Sequence, residues 1–234
     1  MPWGANEDVF APGPNPTPAD ERAKTVLIFG NLGETPGDDE SNGSVLGAAA
    51  HAGLRVRHVG DPGDSLCHPC PGGVPAAGET DTGRLLCQPM ASLGGKAPCF
   101  WHDNLGRISD AEMVAEMRSA RFAAVLRKHE GFEMPGIESL FCGARAIVYD
   151  LPSYRWYEGH ASFLNASLAG EEHAAELRAM LERPPRPVAE TELAELRRAF
   201  AWQSIVPQLF ERIRTQLAAK VPISSVRGVP VPLG

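Results

Sequence analysis

Thr25-Val26-Leu27-Ile28-Phe29-Gly30 is the stretch on which the fold reading turns. Val26 to Phe29 are apolar without a break, and the run stops at a glycine. A strand with one wet face would alternate apolar and polar residues; a strand covered on both faces reads as a continuous run. The stretch therefore predicts a buried parallel strand, and parallel neighbours require long crossovers, usually helices.

Those crossovers follow along the chain. Residues 44–52 suit a helix, with Gly53 as its stop before the alternating strand Leu54-Arg-Val-Arg-His-Val59. Ser109 and Glu112 have the spacing of a capping box, which predicts a helix from Asp110 to about residue 120. The next strand is expected over 122–126. Pro135 suits a first helical residue and opens a helix to Phe141, with Gly143 as its stop. Ala144-Arg-Ala-Ile-Val-Tyr149 predicts another strand, residues 161–164 a short one, and 169–182, 190–199 and 204–219 three helices. Strands alternating with helices give the fold class: α/β, a single Rossmann-like domain with a parallel sheet flanked by helices.

The chain has 234 residues, with 29 acidic against 22 basic side chains and a formal charge of −7. An acidic balance without basic clusters argues against nucleic acid as the main partner. No run approaches the roughly 20 apolar residues of a membrane span, and no apolar leader follows Met1, so a cytoplasmic location is expected. Gly 24 and Pro 21 exceed average usage, and they are concentrated. Pro2, Pro12, Pro14, Pro16 and Pro18 make residues 1–24 an extended linker. Residues 25–219 form the domain, interrupted by a Gly/Pro-rich insertion at 60–98, and 220–234 form a tail.

The chemistry is concentrated in Arg127-Lys128-His129-Glu130-Gly131-Phe132-Glu133-Met134-Pro135-Gly136-Ile137-Glu138. This stretch joins a predicted strand to a helix at the carboxyl edge of the sheet, where open α/β folds bind ligands. The free N–H groups and positive dipole end of that helix suit a phosphate. Gly131 and Gly136 allow close backbone approach. Glu138, expected in the first helical turn, and Glu130 would repel a bare anion but suit a ligand with hydroxyls beside its phosphates. A nucleotide sugar is one example of such a ligand. Arg127 and Lys128 could supply compensating charge or be surface residues, and His129 could serve the site or simply pack.

Glu130-Gly-Phe-Glu-Met-Pro-Gly-Ile-Glu138-Ser-Leu-Phe-Cys-Gly143 resembles the Glu-x7-Glu signature of retaining GT-B glycosyltransferases, and the flanks agree. Gly106-Arg-Ile-Ser-Asp-Ala-Glu112 and Phe200-Ala-Trp202-Gln-Ser-Ile205 resemble the segments that open the preceding helix and close the chain in that family. Pro2-Trp-Gly4-Ala-Asn6-Glu-Asp-Val-Phe10-Ala-Pro12 resembles the linker between the two halves of such enzymes. The resemblance implies the C-terminal, donor-binding half alone, with a separate N-terminal acceptor-binding half as partner. It implies Glu130 at the donor sugar and Glu138 on ribose hydroxyls. The backbone around Phe132, Glu133 and Met134 would hold the diphosphate, with Gly30 and Asn31 facing it from the first strand. No cofactor or metal is required; the nucleotide-sugar donor is the substrate, and transfer retains the anomeric configuration.

Two departures stand out. The family places a basic pair just after the first strand, where this chain has Asn31-Leu-Gly-Glu-Thr-Pro-Gly-Asp-Asp39. Glu133 stands where the signature has glycine. Both keep an alternative open: a non-catalytic or truncated module that binds a nucleotide sugar or a partner. A generic dinucleotide-binding domain is disfavoured, because no G-x-G-x-x-G follows the first strand. Cys67, Cys70, Cys87 and Cys99 could together hold a structural zinc, but Cys87 and Cys99 lack ligand-pair spacing, and free thiols are the default. Tyr154, Trp156 and Tyr157 are expected to pack the loop after the strand ending at Tyr149, with a lid over the donor as the functional reading.

Overall fold

A computed structural model describes residues 4–14, 22–30, 38–60, 67–69, 84–89, 100–128 and 133–218. The elements in chain order are β1 (Ala23–Phe29), α1 (Asp38–His51), β2 (Arg55–Val59), β3 (Cys67–Pro69), β4 (Arg84–Pro89) and β5 (Phe100–Gly106). There follow α2 (Asp110–Ser119), β6 (Ala120–Ala124), α3 (Met134–Phe141), β7 (Arg145–Tyr149) and a 3-10 turn (Pro152–Tyr157). The chain continues through β8 (Ser162–Leu164), α4 (Gly170–Glu182), α5 (Glu190–Phe200) and α6 (Trp202–Ala218).

All eight strands form one sheet in the order β3-β4-β5-β2-β1-β6-β7-β8. From β5 to β8 every pairing is parallel. The Rossmann-like α/β reading therefore holds for the body of the sheet. The chain winds outward from β1 to β5, then crosses back to place β6 on the other side of β1. That reversal is the topological switch point, where open α/β sheets have their crevice.

The core is as apolar as the runs suggest: Val26, Leu27, Ile28, Ala146, Ile147 and Val148 are fully covered. β7 is buried at every position, which fits a central strand covered on both faces. Ser109 caps α2 through a complete capping box with Glu112.

The structure differs from the sequence reading in five places. β5 is a strand the pattern does not predict, because His102, Asp103 and Asn104 interrupt its apolar run. The burial of His102 and Asp103 is explained by partners far along the chain. His102 stacks on His58 at 5.5 Å, and Asp103 takes Arg55 and Arg57 at 3.1 and 3.3 Å. The insertion at 60–98 contributes β3 and β4, which pair antiparallel and extend the sheet beyond β5. α1 begins at Asp38, earlier than its apolar pattern, and β6 at Ala120 directly on the end of α2. Finally, the loop after β7 forms a 3-10 turn.

Residues 4–14 lie against the body. Ala5 bridges Ala201 in parallel, its N–H bonding the Phe200 carbonyl at 2.8 Å while its carbonyl takes the Trp202 N–H at 3.1 Å. Phe10 is buried, and Arg118 Nε donates to the Ala11 carbonyl at 2.8 Å.

Candidate functional site

The carboxyl edge at the switch point is built first from backbone. Gly30 ends β1 with φ +94° and Gly60 ends β2 with φ +141°, conformations that L side chains rarely adopt. The two ends converge so closely that a Cβ on Gly60 would overlap the Gly30 carbonyl. Gly30 N–H bonds the Val59 carbonyl at 2.9 Å, and its own carbonyl lies 2.7 Å from His58 Nε2. A carbonyl only accepts, so Nε2 carries the proton. His58 thus anchors the end of β1 from inside the sheet. Its neighbour His102 has its pKa lowered to about 4, first by burial and then by His58, so that ring is neutral.

Arg127 extends from the end of β6 toward this point. Its guanidinium stands over the Gly30 Cα, where a Cβ would overlap it. A cation therefore reaches the end of β1 from the neighbouring strand, although the residues after Gly30 supply none. Arg127 is 37% exposed, and its Nε lies 4.0 Å from the Glu133 carboxylate, which is buried. Lys128 is half-buried and forms no ion pair among the described residues; its Nζ lies 5.8 Å from the Tyr149 ring centroid.

α3 opens on the same edge. Glu133 is its N-cap, without a side-chain capping bond, and Met134 is its first residue. The helix therefore starts one residue before Pro135, and its first turn holds no acid. Glu138 falls in the second turn, a correction to the first-turn expectation. Burial, and then the Asp110 carboxylate, push the Glu138 carboxyl up to about 7. No hydrogen bond or ion pair reaches it among the described residues. Gly136 is buried, and what closes on it is protein: a Cβ there would overlap the Tyr157 hydroxyl.

The sequence candidates Gly30, Arg127, Lys128, Glu133, Met134, Gly136 and Glu138 are thus brought to one edge of the sheet. Asn31, Glu130, Gly131 and Phe132 lie outside the described residues, as do Cys70 and Cys99. Cys67 sits opposite Pro89 and Cys87 opposite Pro69 across β3 and β4. Among the described residues no group of three or more His, Cys, Asp or Glu could hold a metal. Cys142 is a buried free thiol, and desolvation pushes it up to about 12. Sequence reasoning missed His58, whose only signal was a polar residue at an apolar position of an alternating strand. It also missed the specific hydroxyl contacts of Tyr154 and Tyr157.

The fold is an α/β domain of the Rossmann-like type, the fold of the C-terminal half of GT-B glycosyltransferases. The solved structures it resembles include sucrose-phosphate synthase from Thermosynechococcus elongatus, at TM-score 0.58 and 19% identity over 94% of this chain and 52% of that one. They include HepE of Anabaena in complex with UDP-glucose, at TM-score 0.56 and 16% identity over 91% of this chain and 56% of that one. A glycosyltransferase of avilamycin A biosynthesis matches at TM-score 0.54 and 13% identity, over 94% of this chain and 58% of that one. The chain thus spans about half the length of each of these structures. It matches no protein-family model and no curated protein sequence.

Proposed function

We propose that this chain is the donor-binding half of a retaining GT-B glycosyltransferase, taking a sugar from a nucleotide-sugar donor. The observation that carries the reading is the set of groups gathered at the switch point. Arg127 over Gly30 and the uncapped start of α3 lie together in a fold shared with a protein solved with UDP-glucose. An anion at a helix N-terminus beside a guanidinium is held by amide N–H groups, by the helix dipole and by charge-assisted hydrogen bonds. In this reading Arg127, with Lys128 beside it, and the backbone of residues 131–134 take the diphosphate. Glu138 takes the ribose hydroxyls and Glu130 faces the sugar. Negative charge developing on the departing diphosphate would be stabilised by the same donors, without a required metal.

Glu138 suits hydroxyl recognition because it is unpaired among the described residues and is held near neutrality. A carboxyl in that state can donate or accept. The acceptor would come with a separate N-terminal half. α6 leaves Val206, Phe210, Ile213 and Leu217 exposed at helical spacing, a surface that suits such a partner. No described helix is long and apolar enough to cross a membrane, and we place the protein in the cytoplasm.

Calorimetric titration with UDP-, GDP- and ADP-sugars tests this reading. One of them is expected to bind, and Glu138→Ala is expected to weaken it about tenfold, the scale of a lost hydrogen bond to a charged group. Absence of binding by the whole panel overturns the donor-half reading. Binding that survives Glu138→Ala unchanged overturns the ribose assignment.

A further inference from the structure

Two tyrosines from a single turn hold the two ends of the loop that carries the proposed site. The Tyr154 hydroxyl donates to the Arg127 carbonyl at 2.7 Å, and the Tyr157 hydroxyl donates to the Glu133 carbonyl at 2.6 Å. One bond fixes the chain as it leaves β6, and the other fixes it as it enters α3. Everything between these anchors is residues 128–132, which include Glu130.

The anchors are themselves immobilised. Tyr154 and Tyr157 are 1% and 0% exposed. Their rings lie 6.3 Å apart, Trp156 packs on Tyr157 at 3.7 Å, and Phe200 packs on Trp156 at 5.2 Å. The fit extends into α3, because the Tyr157 hydroxyl occupies the space where a side chain on Gly136 would start. Burial, then the Glu133 carboxylate, raises the Tyr157 phenol well above its ordinary value, so its hydroxyl stays a donor at working pH.

We propose that Tyr154 and Tyr157 are positioning residues of the donor site, holding the backbone at Arg127 and at Glu133 so that Arg127 and the start of α3 face one ligand. The inference rests on the donor-half reading and adds what sets the positions of those two points. Backbone held at Arg127 and Glu133 by buried hydroxyls is placed before the ligand arrives, which lowers the ordering cost of binding. Phenylalanine keeps the rings and removes only the two hydrogen bonds, so the aromatic cluster remains packed.

The test uses Tyr154→Phe, Tyr157→Phe and the double variant, with UDP-, GDP- and ADP-glucose titrated against each. Hydrogen–deuterium exchange and thermal melts are run on the same samples. Each single variant is expected to lose about fivefold to tenfold in affinity, the scale of one net hydrogen bond. The double variant is expected to lose more, with faster exchange around the two anchored residues, Arg127 and Glu133. Lowered melting temperatures with unchanged affinity would show packing alone and overturn the proposal. If the unsubstituted chain binds none of the three, the donor reading fails and the positioning role fails with it. Binding by the unsubstituted chain and all variants alike overturns the clamp and leaves the donor reading standing.

Discussion

At the amino edge of the sheet, Arg22 and Arg145 are almost wholly covered, and each is enclosed by acceptors. Arg22 donates to the carbonyls of Met117, Ala120 and Cys142 at 3.1 to 3.3 Å, tying β1 to α2, β6 and α3. Arg145 pairs with Glu192 at 2.6 Å and also donates to the carbonyls of His160 and Arg186. At the carboxyl edge, Arg127 is more than a third exposed, Lys128 has no ion pair among the described residues, and Glu138 carries a raised pKa. Arg22 and Arg145 are satisfied internally and join elements. At the carboxyl edge, Arg127 and Lys128 stand beside a helix start at the topological switch point. The proposed donor site rests on that contrast, which neither residue type nor sequence position shows.

The largest expected effect breaks the closed edge. Arg145→Met leaves the buried Glu192 without its main partner, and urea unfolding should show a loss of about 3–5 kcal/mol. Glu192 is held below the usual carboxylate range: burial opposes the lowering, and the hydrogen bond and charge of Arg145 outweigh it. Next comes Glu138, whose carboxyl is raised to about 7. A raised acid stabilises the fold fully below its unfolded value and loses that contribution as pH rises through its folded value. Wild-type stability should therefore fall between about pH 4.5 and 7 by up to about 3 kcal/mol, and Glu138→Gln should flatten that fall in pH-dependent melts.

Gly136→Ala forces a Cβ onto the Tyr157 hydroxyl and should cost about 1–3 kcal/mol by overpacking. Combining it with Tyr157→Phe should recover part of that loss in a double-mutant cycle. The smallest effect on stability belongs to Arg127→Ala, within about 0.5 kcal/mol, as befits a partly exposed side chain. A loss as large as that of Arg145→Met would erase the distinction between the two edges.

The strands that form the centre of the sheet are legible because Val26–Ile28 and Ala146–Val148 are buried on both faces and need nothing but apolar side chains. β5 is not, because His102 and Asp103 become buried only through His58, Arg55 and Arg57 on β2. A pattern along one strand cannot report a partner more than 40 residues away. The loop from Arg127 to Glu138 announces its chemistry by residue type. Its first helical residue is displaced by one position, which moves Glu138 into the second turn. Tyr154 and Tyr157 read only as an aromatic cluster, since a hydroxyl's acceptor is fixed by tertiary packing. Arg127 over Gly30 was likewise hidden, because it joins the ends of two strands nearly 100 residues apart in sequence.

The central claim is that Arg127 and the start of α3 at the carboxyl edge receive a nucleotide sugar. Calorimetric titration of UDP-glucose into the wild-type chain and Arg127→Ala, with a thermal melt of each, addresses it most directly. The predicted result is saturable binding by the wild type, about tenfold weaker in Arg127→Ala at nearly equal melting temperature. Equal affinity in the two chains would contradict the assignment of that edge.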